Sequence, residues 1–100
     1  MDFIFKNRKL EELYTLERGA EIYPEAVVEA FFEVMTIIEN APDERTFYVL
    51  KNLHFEKLTG KRGKNELRSM RLNQQWRLIV QLEKDQTGKF IVIIEIVDYH

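Results

Sequence analysis

The segment KFIVIIEIVDY (89–99) is the most constraining feature of the sequence, being apolar at nearly every position and rich in β-branched side chains. Such a run lacks the strict alternation of a half-solvated strand and predicts a central strand covered on both faces. WRLIVQLE (76–83) alternates cleanly, placing Trp76, Leu78, Val80 and Leu82 on one face and Arg77, Ile79, Gln81 and Glu83 on the other. ELRSMRLN (66–73) shows mixed alternation. The connectors Asn73–Gln75 and Lys84–Gly88 have hairpin lengths. A further strand is expected from His54 to Leu58, and another at Phe3 to Phe5. From Lys51 onward, then, the chain reads as a run of antiparallel strands.

Upstream the period is helical. Leu10, Leu13, Tyr14 and Leu16 in RKLEELYTLE (8–17) form a first helix, expected to end before Gly19. Pro24 suits the first turn of a second helix whose apolar face carries Val27, Val28, Phe31, Val34, Met35 and Ile38. Glu25, Glu29 and Glu33 recur on its other side as a solvated stripe, and the helix should fade at Asn40 to Pro42. Asp43 or Glu44 opens one short further turn containing Phe47 and Leu50. Helices followed by strands define an α+β fold, with N-terminal helices packed on one face of a mostly antiparallel sheet of four to five strands. One domain, 1–100, accommodates the whole sequence, which shows no internal repeat or linker.

The net charge of −2 hides a segregation. Residues 1–50 carry −6, residues 51–80 carry +6, and residues 81–100 carry −2. Polyanion binding depends on local potential, so the basic block is compatible with a nucleic-acid partner despite the acidic total. No cysteine is present, so disulfides contribute nothing, in keeping with a reducing compartment. No apolar run is long enough for a membrane helix, and MDFIFKNRKL lacks the pattern of a signal peptide. A cytoplasmic protein without a membrane partner is expected.

Most catalytic signatures are missing. Gly60 and Gly63 in TGKRGK form no phosphate loop, and the two histidines without cysteine disfavour a zinc site. Ser69 is the only serine and sits in no nucleophile elbow. Neither a metal nor a cofactor is expected. The basic block and the polar carboxyl terminus do suit metal-free RNA cleavage. That reaction needs a base for the ribose 2′-hydroxyl, an acid for the leaving 5′ oxygen and fixed positive charge at the phosphorus. Candidate proton carriers are Glu56, His54 and His100; candidate phosphate clamps are Arg62, Arg68, Arg71 and Arg77.

The block FEKLTGKRGKNELRSMRLNQQWRLIVQLE followed by IVIIEIVDYH resembles the carboxyl half of HigB-type plasmid-maintenance killer toxins of the RelE/ParE superfamily. RKLEELY and YPEAVVEAFFEVMTII resemble the two helices that precede that family's sheet, so the resemblance spans essentially the whole chain. Its most specific elements are FEKLxG, RLNxQWRL and the closing IVDYH, in that order. The resemblance implies a RelE-like fold and the toxin of a type II toxin–antitoxin system. It further implies a ribosome-dependent mRNA endoribonuclease (an mRNA interferase) that cleaves the message in the A site. The implied partners are the ribosome, mRNA and a HigA-type helix-turn-helix antitoxin, through which alone the toxin meets operator DNA.

By the same resemblance, Arg77 contacts the scissile phosphate. His100 donates or orients a proton, Asp98 supports it, and Tyr99 stacks on a base. Glu56, at a position where some relatives carry histidine, is a candidate base. Lys57, Lys61, Arg62, Lys64, Arg68 and Arg71 are expected to grip RNA or ribosome without reading sequence. Trp76, sharing a strand face with Leu78 and Val80, is expected in the core. Thr59 stands where relatives often carry lysine, and the acidic total departs from their usual basic character. Two alternatives belong to other functional classes: a non-catalytic ParE-like inhibitor of gyrase, and a degenerate RNA-binding member of the same fold.

Overall fold

The computed structural model describes residues 1–58 and 67–98. In chain order these form β1 (Phe3–Phe5), α1 (Arg8–Leu16), a 3-10 turn (Ala20–Ile22), α2 (Glu25–Asn40), α3 (Arg45–Val49) and a second 3-10 turn (Lys51–Leu53). The strands β2 (Glu56–Lys57), β3 (Leu67–Arg71), β4 (Trp76–Asp85) and β5 (Gly88–Asp98) follow. The five strands make one sheet in the order β1-β5-β4-β3-β2. Every pairing is antiparallel except that of β1 with β5. The expected α+β layout with a mostly antiparallel sheet is what the chain adopts.

The helices cover one face of this sheet. Leu10 and Leu13 of α1, and Val27, Phe31, Val34, Met35 and Ile38 of α2, share one buried cluster with Leu78, Val80, Ile91, Ile93 and Ile96. Burying a side chain as completely as Phe31 stabilises by roughly 1.5–3 kcal/mol. Trp76 packs against the same cluster, with its ring 6.0 Å from that of Tyr23 in an edge-to-face arrangement. Tyr14 of α1 gathers Phe3, Phe5, Phe31 and Phe32 around its ring.

The long apolar strand β5 carries a β-bulge. Ile79 pairs with Glu95 but Val80 pairs with Ile93, leaving Ile94 as the extra residue of β5. The bulge resets the alternation, so Ile91, Ile93 and Ile96 all face the helices, while Phe90, Val92, Glu95 and Val97 take the other face. Those four are half-buried rather than covered by a second layer. Asn7 ties the irregularity to α1. Its Oδ1 accepts from the Leu10 amide at 3.3 Å as the helix N-cap, and its Nδ2 donates to the Ile94 carbonyl at 3.0 Å.

One boundary agrees with expectation and one differs. Helix α1 ends on Glu17, itself in the left-handed region (φ 54), before Gly19 is reached; its amide donates to the carbonyls of Glu12 and Leu13. The strand expected from His54 shrinks to Glu56–Lys57, because His54 is also left-handed (φ 47, ψ 54) and closes the second 3-10 turn.

Candidate active site

The β3–β4 ladder makes Arg71 and Arg77 direct register partners, so both side chains leave the same face of the sheet. That face carries Arg77, Ile79, Gln81 and Glu83 from β4, opposite the side chains that enter the helix-covered core. Opposed guanidinium groups set two forks of N–H donors side by side. The pair therefore reads as a place for a phosphate, whose oxygens match the guanidinium fork.

Arg77 is held from below by the β3–β4 connector. Its Nη1 donates to the Asn73 carbonyl at 2.6 Å and to the Trp76 carbonyl at 3.2 Å. Asn73 also builds the connector, since its Oδ1 accepts from the amides of Gln75 and Trp76, both at 2.8 Å. From the same connector, Gln75 Nε2 donates to both carboxylate oxygens of Asp98, at 2.9 and 3.0 Å. The short β3–β4 connector thus positions both Arg77 and Asp98. The ladder pairs Asp98 with Trp76, on the opposite face of the sheet from Arg77 and at the same end of β4.

Arg71 contributes differently. Its Nη1 lies 2.9 Å from His54 Nε2, while its Nε is buried without a hydrogen-bond partner. It also borders a groove against α2 lined by Glu33, Val34, Ile37 and Leu53. His54 Nδ1 lies 3.7 Å from Glu56 Oε1. Glu56 pairs with Ser69, which in turn pairs with Ile79; Ser69 and Ile79 are buried on this face although they lie outside the helix-covered cluster.

Of the residues singled out from sequence, the structure brings Arg71, Arg77, Glu56 and, at the edge, Asp98 to one end of the sheet. Lys57 is exposed on β2 and, with its register partner Arg68, takes the opposite face from Glu56 and Arg71. Arg68 borders a separate hollow of about 370 Å³ near the β4–β5 turn, with Glu44, Lys84 and Lys89. Lys61, Arg62, Lys64, Tyr99 and His100, together with Thr59, lie outside the described residues. The acidic stripe of α2 is divided: Glu25 and Glu29 line a groove with Glu17, Glu21, Tyr23, Val28 and Phe32, whereas Glu33 faces the Arg71 side. Asn73 and Gln75 are marked in the sequence only as a connector; their hold on Arg77 and Asp98 depends on the folded turn.

Comparison with known proteins agrees with this architecture. The family described as "RelE-like toxin of type II toxin-antitoxin system HigB" matches residues 3–100. Among curated proteins, none matches the chain. Among solved structures, a YoeB/ParE toxin from Agrobacterium tumefaciens superposes with a TM-score of 0.58 over 100% of both chains, at 14% identity. That likeness establishes the fold, and the family match establishes descent. The chain belongs to the HigB family of RelE-like toxins of type II toxin–antitoxin systems.

Proposed function

We propose that the protein is a ribosome-dependent endoribonuclease that cuts mRNA in the A site by attack of the ribose 2′-oxygen on the adjacent phosphorus. The observation that carries this is the directly opposed Arg71–Arg77 pair, set on the sheet face away from the helical core. As the 2′ oxygen adds, negative charge accumulates on the nonbridging oxygens, and two fixed guanidinium groups stabilise it where it forms. The P–O5′ bond then breaks, leaving a 2′,3′-cyclic phosphate and a 5′-hydroxyl. Arg77 contacts the scissile phosphate, and its double tether to the Asn73 and Trp76 carbonyls fixes the fork before substrate arrives.

Around this centre, Glu56 is assigned to the base side and His100, supported by Asp98, to the leaving-group side, with Tyr99 stacking on a base. Lys57, Lys61, Arg62, Lys64 and Arg68 hold RNA or ribosomal backbone. Proton transfers are carried by side chains, with no metal or cofactor invoked. The partner that restrains this activity is a HigA-type helix-turn-helix antitoxin in the cytoplasm. Primer extension on a translated reporter message after brief induction tests the proposal. New 5′ ends inside coding sequence that vanish in Arg77→Ala support it; intact messages alongside blocked DNA supercoiling would replace it with gyrase inhibition.

A further inference from the structure

His54 is one of three candidate proton carriers in the sequence, and the structure builds a device around it. We propose that His54 Nε2 accepts the 2′-hydroxyl proton, and that Arg71 withholds this nitrogen until a phosphate engages the guanidinium. The proposal rests on the endoribonuclease reading above.

The protonation pattern follows from one contact. Arg71 Nη1 lies 2.9 Å from His54 Nε2, and a guanidinium has only donors, so Nε2 accepts. In the proposed resting arrangement the ring carries its hydrogen on Nδ1, the nitrogen that lies 3.7 Å from Glu56 Oε1. A general base needs this arrangement: a free-pair nitrogen aimed toward the phosphate clamp and an N–H aimed toward a carboxylate that stabilises the imidazolium once formed. Glu56 is then a positioning residue for the ring. The backbone supports a dedicated placement, because His54 is held in the left-handed region, which side chains seldom adopt. Its side chain remains 43% exposed, within reach of a substrate.

Arg71 is incompletely satisfied in this resting arrangement. Its Nε is buried without a partner, a deficit that a phosphate oxygen removes if the guanidinium turns toward Arg77. The same turn releases Nε2. The step then balances: the 2′-hydroxyl proton passes to Nε2, the 2′-oxygen bonds phosphorus, and the P–O5′ electron pair leaves on the 5′ oxygen, which is protonated from the carboxyl-terminal side. The charged groups facing the ring are Arg71 from β3 and Glu56 from β2, while the His54 amide is bonded to the Lys51 carbonyl.

The test is single-turnover cleavage of a ribosome-bound message by the full-length protein, comparing wild type, His54→Asn and Arg77→Ala. Asparagine tolerates the left-handed backbone, so thermal melting should be unchanged. His54→Asn should slow cleavage roughly 10²–10⁴-fold. It should stay equally slow on a message with sulfur in place of the bridging 5′ oxygen, a leaving group that needs no proton. Rescue by sulfur would make His54 an acid and overturn the proposal. Wild-type rates in His54→Asn with a dead Arg77→Ala would overturn it while leaving the endoribonuclease reading intact; no cleavage by the wild type overturns both. Imidazole ¹⁵N spectra of the free protein should show the Nδ1–H form, and an Nε2–H form would refute the Arg71 gate.

Discussion

Arg71 and Arg77 face each other as register partners across the β3–β4 ladder. Arg77 is held by two backbone carbonyls at the exposed β3–β4 connector, so its removal should separate stability from activity. Arg77→Ala is expected to change stability by less than about 1 kcal/mol, while cleavage falls roughly 10²–10³-fold. Arg77→Lys keeps the charge but not the fork and should fall between. Urea unfolding beside a cleavage assay checks both, and a parallel loss of stability would make Arg77 a structural residue.

The Asn7 bridge makes the opposite prediction. Asn7→Ala removes the cap of α1 and leaves the Ile94 carbonyl at the bulge without its donor, for a loss on the order of 1–2 kcal/mol. Asn7→Asp retains the capping oxygen and should lose less. Cleavage at a temperature where both variants are folded should equal that of the wild type.

Gln75 tests whether the β3–β4 connector positions Asp98. The Gln75–Asp98 contact is exposed, so Gln75→Ala should alter stability by less than about 0.5 kcal/mol. Cleavage should fall severalfold, and Gln75→Glu, which sets a carboxylate against Asp98, should fall further. Equal rates in all three proteins would remove Asp98 from the site.

Acid sensitivity has a local source at the start of α3. Hydrogen bonds from the Arg45 side chain and then its backbone amide hold the Asp43 carboxyl at about 2, below its ordinary 3.8. A depressed folded value means the contribution is present above the unfolded value and is lost as pH falls through the folded one. The stability advantage of wild type over Asp43→Asn should therefore hold at pH 5 and shrink between about pH 4 and pH 2. Urea midpoints measured across that range give the comparison.

Most of the fold was legible because its signals are periodic. The alternation from Trp76 to Glu83 and the apolar face from Val27 to Ile38 both appear where the sequence places them. The bulge at Ile94 was not legible, since a strand apolar on both faces offers no alternation against which one extra residue would show. His54 was drawn into a strand because neighbouring residues are strand formers; a left-handed residue leaves no hydrophobic signature. At the site, Arg77 could be located from its place after Trp76. Its partnership with Arg71 depends on a register that only the folded ladder fixes.

The most direct test uses a defined message held in the A site of stalled ribosomes, with and without a 2′-O-methyl group at the scissile nucleotide. The unmodified message should be cut to a 2′,3′-cyclic phosphate and a 5′-hydroxyl, whereas the methylated message and ribosome-free RNA should remain whole. Equal cutting of the methylated message, or no cutting of the unmodified one, contradicts 2′-oxygen attack at the Arg71–Arg77 pair.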